Sequence, residues 1–173
     1  MASSLASKLK SLPSIRVKGE FFRMVREEDA DGLLSAGPSF AFGGRYSKPG
    51  EFGALYLSDD PKTCEAEKLK QVAGRRDLLP PQALGRFGAD VSGVVDLTDD
   101  DNLKKLGVSI GQLTDPLDVT LPREIGAAAR SLGIRALLVR SAAALGKNLA
   151  VFEEGLTSPD CTVKVINTQR WTV

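Results

Sequence analysis

The 173-residue chain contains no histidine, and this absence excludes more kinds of site than any motif that is present. Ser-His-Asp catalysis, Cys-His catalysis and imidazole-based metal sites all need the missing side chain. The two cysteines, Cys64 and Cys161, are too few for a four-thiolate zinc site or a disulfide framework. We therefore expect no metal ion, and proton transfer has to use carboxylates, tyrosine, lysine or water.

The chain also lacks a charge excess and a long apolar run. Its 23 basic and 22 acidic residues give a net charge of +1, so no bulk field favours nucleic acid or an anionic membrane. No apolar run approaches the roughly 18 residues of a membrane span, and the start MASSLASKLK lacks the apolar stretch of a signal peptide. The few cysteines suit a reducing compartment. We expect a cytoplasmic protein without nucleic-acid or membrane partners.

The length fits a single folded domain, and 42% apolar residues are enough for a core. Residues 1–14 have a loose composition that ends at Pro13, so we predict a flexible leader and one domain over residues 15–173. Several short strands with a few helices predict an α+β or mixed α/β fold, and we expect α+β. Strands are predicted over 15–25, 54–58, 90–97, 134–139, 148–152 and 161–166, with helices from Pro61, after Thr98 and at Pro122. Residues 39–50 and 75–85 are rich in glycine or proline and are predicted to be loops.

The most informative stretch is GGRYSKPGEFGALYLSDDPKTCEAE, from Gly43 to Glu67. A glycine-rich turn precedes the short strand ALYLS, and a helix start follows that strand. Glycines let the backbone approach a bulky ligand, and arginine holds phosphate by two parallel hydrogen bonds. Tyrosine stacks on flat rings, and a glutamate stabilises a sugar cation. These residue types suit a dinucleotide whose glycosidic bond is broken, while a solvated surface loop is the commoner setting for such an arginine.

The residues alone leave several roles open. Glu65 and Glu67 lie two apart on a helix and point in different directions, so at most one is expected to face a cleft. Ser141 follows a buried strand, where open sheets place ligands, yet it equally suits a turn. Without histidine it is a poor nucleophile and a better hydrogen-bonding group. Tyr56 is equally typical of a core strand, and strand arginines such as Arg23 more often face solvent.

Four blocks in the same order resemble the RES-domain family, the toxins of bacterial toxin–antitoxin pairs with an Xre-type antitoxin. FFRMV is similar to the family's opening strand with its arginine, and the stretch from Gly43 to Glu67 to its GGRWN-x-PG…YL…TA-x-x-E block. VVDLTDD followed by LGV is similar to its middle segment. IRALLVRSAAALGKNLAVFEEG is similar to its G-x-x-x-x-L-x-P-S-A…G-x-N-x-x-x-F block. The resemblance spans roughly Phe21 to Leu156.

This resemblance implies a set of site residues. Arg45, Glu67 and Ser141 stand at the family's arginine, glutamate and serine and are expected to be catalytic, so the resemblance selects Glu67 over Glu65. The residues expected to bind NAD+ are Arg45, Tyr46, Tyr56 and Arg23. The chain departs from the family pattern at three positions: Tyr46 replaces tryptophan, Ser47 replaces asparagine and Arg140 replaces proline.

The resemblance also implies a fold and a reaction. The family is similar to ADP-ribosylating toxins, with two packed β-sheets and flanking helices around an NAD+ cleft. NAD+ is expected as a substrate whose nicotinamide–ribose bond is broken, with ADP-ribose passed to a protein target, water or phosphate. An Xre-type antitoxin is the expected partner. The alternative is a non-catalytic nucleotide-binding or scaffold module with the same fold, for which the departures at Tyr46 and Arg140 leave room.

Overall fold

The computed structural model describes residues 2–172, so Met1, where the predicted leader starts, and Val173, where the predicted domain ends, lie outside it. The structure combines a mostly antiparallel sheet with flanking helices, as in an α+β protein. The strands are β1 (Ile15–Arg26), β2 (Ala54–Ser58), β3 (Gln82–Asp96), β4 (Ala136–Arg140), β5 (Lys147–Phe152) and β6 (Thr162–Trp171). The helices are α1 (Ala2–Lys10), α2 (Gly37–Phe42), α3 (Pro61–Gln71), α4 (Asp100–Leu106), α5 (Ile110–Leu113), α6 (Thr120–Ser131) and α7 (Glu153–Thr157), with 3-10 turns at Glu27–Gly32 and Arg76–Leu78.

The helix starts follow from capping residues in the sequence. The Asp60 side chain accepts a hydrogen bond from the Lys62 N–H at 2.6 Å, and Pro61 occupies the first turn of α3. Asp99 caps α4 in the same way, and Gly107 ends that helix with a left-handed φ of 75°. The predicted helix after Asp60 is therefore confirmed, and with it the direction in which the side chains of α3 project.

The strands found in residues 2–172 form one sheet in the order β1-β2-β5-β4-β3-β6, and β1 also pairs with β3. Five strands thus close into a ring, while β6 pairs with β3 alone. The resemblance implied two packed sheets, and this detail is corrected. The groups β1-β3-β6 and β2-β5-β4 do face each other, but the parallel β3–β4 pairing joins them on one side. The single pair Phe22↔Ser58 joins β1 to β2 on the other.

Two apolar layers hold the sheet. The inner layer fills the space inside the ring with side chains that alternate along the strands, including Phe21, Leu55, Phe87 and Leu149. The outer layer lies between the opposite face of β2, β5 and β4 and the helices α1, α4, α5 and α6. Burial on both faces explains why these three strands read as nearly continuous apolar runs.

Three segments differ from their predicted form. The predicted flexible leader contains helix α1, which packs on α6 and buries Leu9 and Leu12 in the outer layer. Residues 39–50 begin inside helix α2 rather than in a loop. The third difference is that β3 begins at Gln82 and not near Asp90, because residues 82–90 pair with β1 on one edge and β6 on the other. Pairing on both edges overrides the low strand propensity of the glycines in this segment.

None of the helices within residues 2–172 is long and apolar enough to span a membrane.

We expect Leu9→Ala to lower the free energy of unfolding by about 2 to 5 kcal/mol, because it leaves a cavity between α1 and the outer layer. Leu9 is only 1% exposed, and the control residue Leu78 is 55% exposed. Leu78→Ala should change the free energy by less than about 0.5 kcal/mol. Urea unfolding followed by circular dichroism measures both. Equal stabilities of the two variants would show that α1 is the loose leader that the sequence predicts.

Candidate functional site

A cleft of ≈ 960 Å³ lies where β1 and β2 diverge beyond their single pair. Its walls come from these two strands, from α3 and from the segment between Glu28 and Gly44. The polar side chains in its wall include Arg23, Tyr56, Glu67 and Lys68. A cleft of this size is typical of a small-molecule site.

Glu67 is held in the cleft wall by two donors on the neighbouring strands. Ser141 Oγ donates to Glu67 Oε1 at 2.8 Å, and Asn148 Nδ2 donates to the same oxygen at 2.6 Å. Asn148 Oδ1 in turn accepts from Ser58 Oγ at 2.8 Å. The other carboxylate oxygen, Oε2, has no hydrogen-bond partner within residues 2–172. The carboxylate is thus anchored through one oxygen, and the second is available to a ligand.

Ser141 contacts Glu67 and does not line the cleft. It is 6% exposed, and its Oγ also accepts from the Ala143 N–H at 3.1 Å. The loop that carries it lies against the start of α3, where Lys147 N–H donates to Asp59 Oδ1 at 3.1 Å. A side chain on Gly146 would overlap Thr63, so this close approach needs glycine. Ser141 therefore sits behind Glu67 and holds its carboxylate by a hydrogen bond.

Tyr56 presents its ring to the cleft and anchors its hydroxyl in the protein. The hydroxyl accepts from the Tyr46 N–H at 3.0 Å and shares a hydrogen bond of 2.9 Å with Ser47 Oγ. Burial raises the pKa of Tyr56, which keeps the phenol neutral. A side chain on Gly44 would overlap this phenol, so the glycine-rich turn is shaped by contact with Tyr56. Ser47, one of the three departures, thus supports the ring.

Arg45 does not line the cleft, although the resemblance implies that it is catalytic and binds NAD+. Its Nη1 donates to the carbonyls of Asp115 at 2.7 Å and Leu113 at 3.3 Å, at the C-terminal end of α5. A cation is favoured there because the helix presents unpaired carbonyls. In this arrangement Arg45 ties the glycine-rich turn to α5, while Tyr56 and Glu67 both line the cleft.

Tyr46 lies in the outer apolar layer and does not line the cleft, although it was predicted to bind NAD+. It is 1% exposed, and its hydroxyl has no hydrogen-bond partner within residues 2–172. Burial raises the pKa of this phenol. The tyrosine at the family's tryptophan position is therefore a core substitution. Arg140, at the family's proline position, is exposed and donates to the Leu145 carbonyl at 3.5 Å.

Arg23 and Arg26 are the arginines among residues 2–172 that line the cleft, and Arg23 is the one that forms no ion pair there. Its Nη1 donates to the carbonyls of Leu33 at 2.6 Å and Ser35 at 3.2 Å, which fixes the guanidinium beside the segment after β1. Burial lowers the pKa of Arg23, but an arginine stays charged in proteins. Its Nε and Nη2 have no partners within residues 2–172 and remain available to an anion.

Glu65 lies on the other side of α3 from the cleft. It accepts from Arg76 Nη1 at 2.8 Å and from Trp171 Nε1 at 3.3 Å. The choice of Glu67 over Glu65 as the cleft residue agrees with this placement. The sequence analysis missed Asn148, although the asparagine of the G-x-N block could have identified it. It also missed Lys68, which no motif identified.

The hydrogen bond between Ser141 and Glu67 should appear as a coupling energy. We expect Ser141→Ala and Glu67→Ala to be non-additive in the free energy of unfolding by about 0.5 to 3 kcal/mol, since each removes the same contact. Glu65 offers the matched control, because it lies on the same helix and bonds other partners. Ser141→Ala and Glu65→Ala should add within about 0.5 kcal/mol. Urea unfolding of both cycles tests this, and additivity in the first would contradict the contact.

Comparison with known proteins agrees with the four blocks. The model of a family described as RES domain matches residues 20–172, which includes β6 and so extends beyond the resemblance seen in the sequence. A solved structure, described as the crystal structure of the M. tuberculosis MbcT-MbcA toxin-antitoxin complex, contains a similar chain. The two chains are 26% identical with a TM-score of 0.80, and the match covers 98% of this chain and 92% of that one. No curated protein matches the sequence.

Proposed function

The chain belongs to the RES-domain family, and from that premise we propose that it consumes NAD+ as the toxin of a toxin–antitoxin pair. The observation that carries the proposal is that Tyr56 and Glu67 line the same cleft. The Glu67 carboxylate is held there by hydrogen bonds from Ser141 and Asn148. We also propose that the fold is similar to that of ADP-ribosyltransferases. The solved structure with a similar chain supports it, because that structure is of a toxin–antitoxin complex.

The proposed reaction breaks the bond between nicotinamide and ribose. Departure of nicotinamide leaves positive charge on the sugar, as in glycoside hydrolysis. Glu67 Oε2 stabilises that charge and accepts from the ribose 2′-hydroxyl, while Oε1 stays bound to Ser141 and Asn148. The Tyr56 ring stacks on the nicotinamide. Nicotinamide leaves as a neutral molecule, so the step needs no acid, which fits a chain without histidine.

We expect Glu67→Gln to reduce NAD+ turnover by about 100- to 1000-fold, the usual effect of removing one group that stabilises transition-state charge. The glutamine oxygen still accepts from Ser141 and Asn148, so the melting temperature should stay close to that of the wild type. Glu65→Gln makes the same change on the same helix outside the cleft and should keep wild-type turnover. Turnover of Glu67→Gln at the wild-type rate would contradict the mechanism.

The same assay separates the possible acceptors and the non-catalytic alternative. With labelled NAD+, free ADP-ribose indicates hydrolysis, ADP-ribose 1″-phosphate indicates phosphorolysis, and labelled protein in a lysate indicates transfer to a target. Binding of NAD+ by the wild-type protein without turnover would favour the nucleotide-binding or scaffold module.

The proposed partner is an antitoxin that covers the cleft, of Xre type by the family resemblance. Large apolar side chains are exposed in the segment between Glu28 and Gly44, which forms one wall of the cleft: Leu34 is 44% exposed, Phe40 45% and Phe42 85%. Phe42 also lines the cleft. Exposed apolar clusters of this kind mark interaction sites.

We expect Phe42→Ser to weaken the complex with the protein encoded by the neighbouring gene by about 10-fold or more, as for an aromatic residue at an interface centre. Leu117→Ser is the control, because Leu117 is 93% exposed and does not line the cleft. Titration of the co-expressed partner onto the immobilised chain measures both. Equal affinities of the two variants would place the interface elsewhere.

A further inference from the structure

Two cations in the cleft wall, Arg23 and Lys68, form no ion pair with any side chain of residues 2–172. Lys68 lines the cleft and is half-buried, and it has no hydrogen bond or ion pair within residues 2–172. Arg23, on the facing strand, bonds only backbone carbonyls. Arg26 is different, since it pairs with Glu28 at 3.2 Å and Asp29 at 3.1 Å. The unpaired positive charge of the cleft is thus concentrated at Arg23 and Lys68.

The positive charges of Lys68 and Arg23 disfavour each other in the cleft wall. Burial lowers the pKa of Lys68, and the positive charge of Arg23 lowers it further. Arg26 acts in the same sense, whereas Cys64 and Glu67 act in the opposite one. A half-buried ammonium beside a guanidinium gains stability when an anion binds between them.

We infer that Lys68, together with Arg23, binds the phosphate groups of the nucleotide substrate, the role that the sequence assigned to Arg45. This inference rests on the proposed function for the identity of the anion. The guanidinium of Arg23 offers its free Nε and Nη2 as a fork, and Lys68 adds a point charge from α3. Cations from two different elements suit an anion with several oxygens.

The position of Lys68 next to Glu67 fits a dinucleotide. Neighbouring residues on a helix project about 100° apart, so both reach the cleft without competing for one spot. In NAD+ the pyrophosphate is joined to the nicotinamide ribose through one methylene group. A carboxylate at the ribose and an ammonium one residue further along the helix therefore match the order of groups in the substrate.

The test uses ADP-ribose as the probe, measured by isothermal titration calorimetry. We expect Lys68→Met to weaken ADP-ribose binding by about 10- to 100-fold, the usual range for losing a hydrogen bond to a charged group. Lys62→Met is the control, because Lys62 is an exposed lysine on the same helix outside the cleft wall. It should bind ADP-ribose as the wild type does. Lys68→Arg keeps the charge and should restore binding to within about fivefold of wild type.

The outcomes separate this inference from the proposed function. If Lys68→Met folds, as judged by its melting temperature, and binds ADP-ribose within twofold of the wild type, the inference is wrong even when the wild type consumes NAD+. If Lys68→Met does not fold, Lys68→Gln and Lys68→Arg decide, and equal affinities of these two overturn it. If the wild-type protein binds ADP-ribose through Lys68 but does not consume NAD+, the proposed reaction is wrong and the inference about Lys68 is supported. A wild-type protein that does not bind ADP-ribose overturns the inference.

Discussion

The hydrogen bonds that Ser141 and Asn148 donate to Glu67 join three separate elements at one carboxylate oxygen. Glu67 comes from α3, Ser141 from the loop after β4 and Asn148 from β5. A carboxylate on a solvent-facing helix turn would sample several rotamers, whereas this one is restricted by two donors. Because both donors use Oε1, the anchoring leaves Oε2 to the cleft. The position of α3 against the sheet and the orientation of its glutamate are therefore set by the same contacts.

A second set of contacts holds the other wall of the cleft. The glycine-rich turn lies on the phenol of Tyr56, which accepts from the Tyr46 N–H. Arg45 ties the turn to the end of α5, and Arg123 Nε donates to the Gly44 carbonyl at 3.0 Å. These contacts fix the ring of Tyr56 without placing another charge in the cleft. The positive charge comes instead from β1 and α3.

The sequence predicted the parts of this site that depend on local signals. Asp60 and Pro61 marked the start of α3, and ALYLS marked β2 to the residue. Only the family resemblance indicated which side of α3 faces the cleft, because the local sequence does not distinguish Glu67 from Glu65. The direction of Arg45 could not be predicted, since it depends on the carbonyls of Leu113 and Asp115 almost seventy residues away in the chain. Packing of α1 on α6 and pairing of β3 on both edges are likewise long-range effects.

The single pair Phe22↔Ser58 makes the β1–β2 junction the shortest strand pairing of the closed ring. The other strand pairs of the ring have longer ladders, so local opening is expected first at this junction. The cleft lies at this junction, with Arg23 on the β1 side and Tyr56 on the β2 side. A ligand that contacts both Arg23 and Tyr56 bridges this junction. Part of its binding free energy is then used to hold β1 and β2 together.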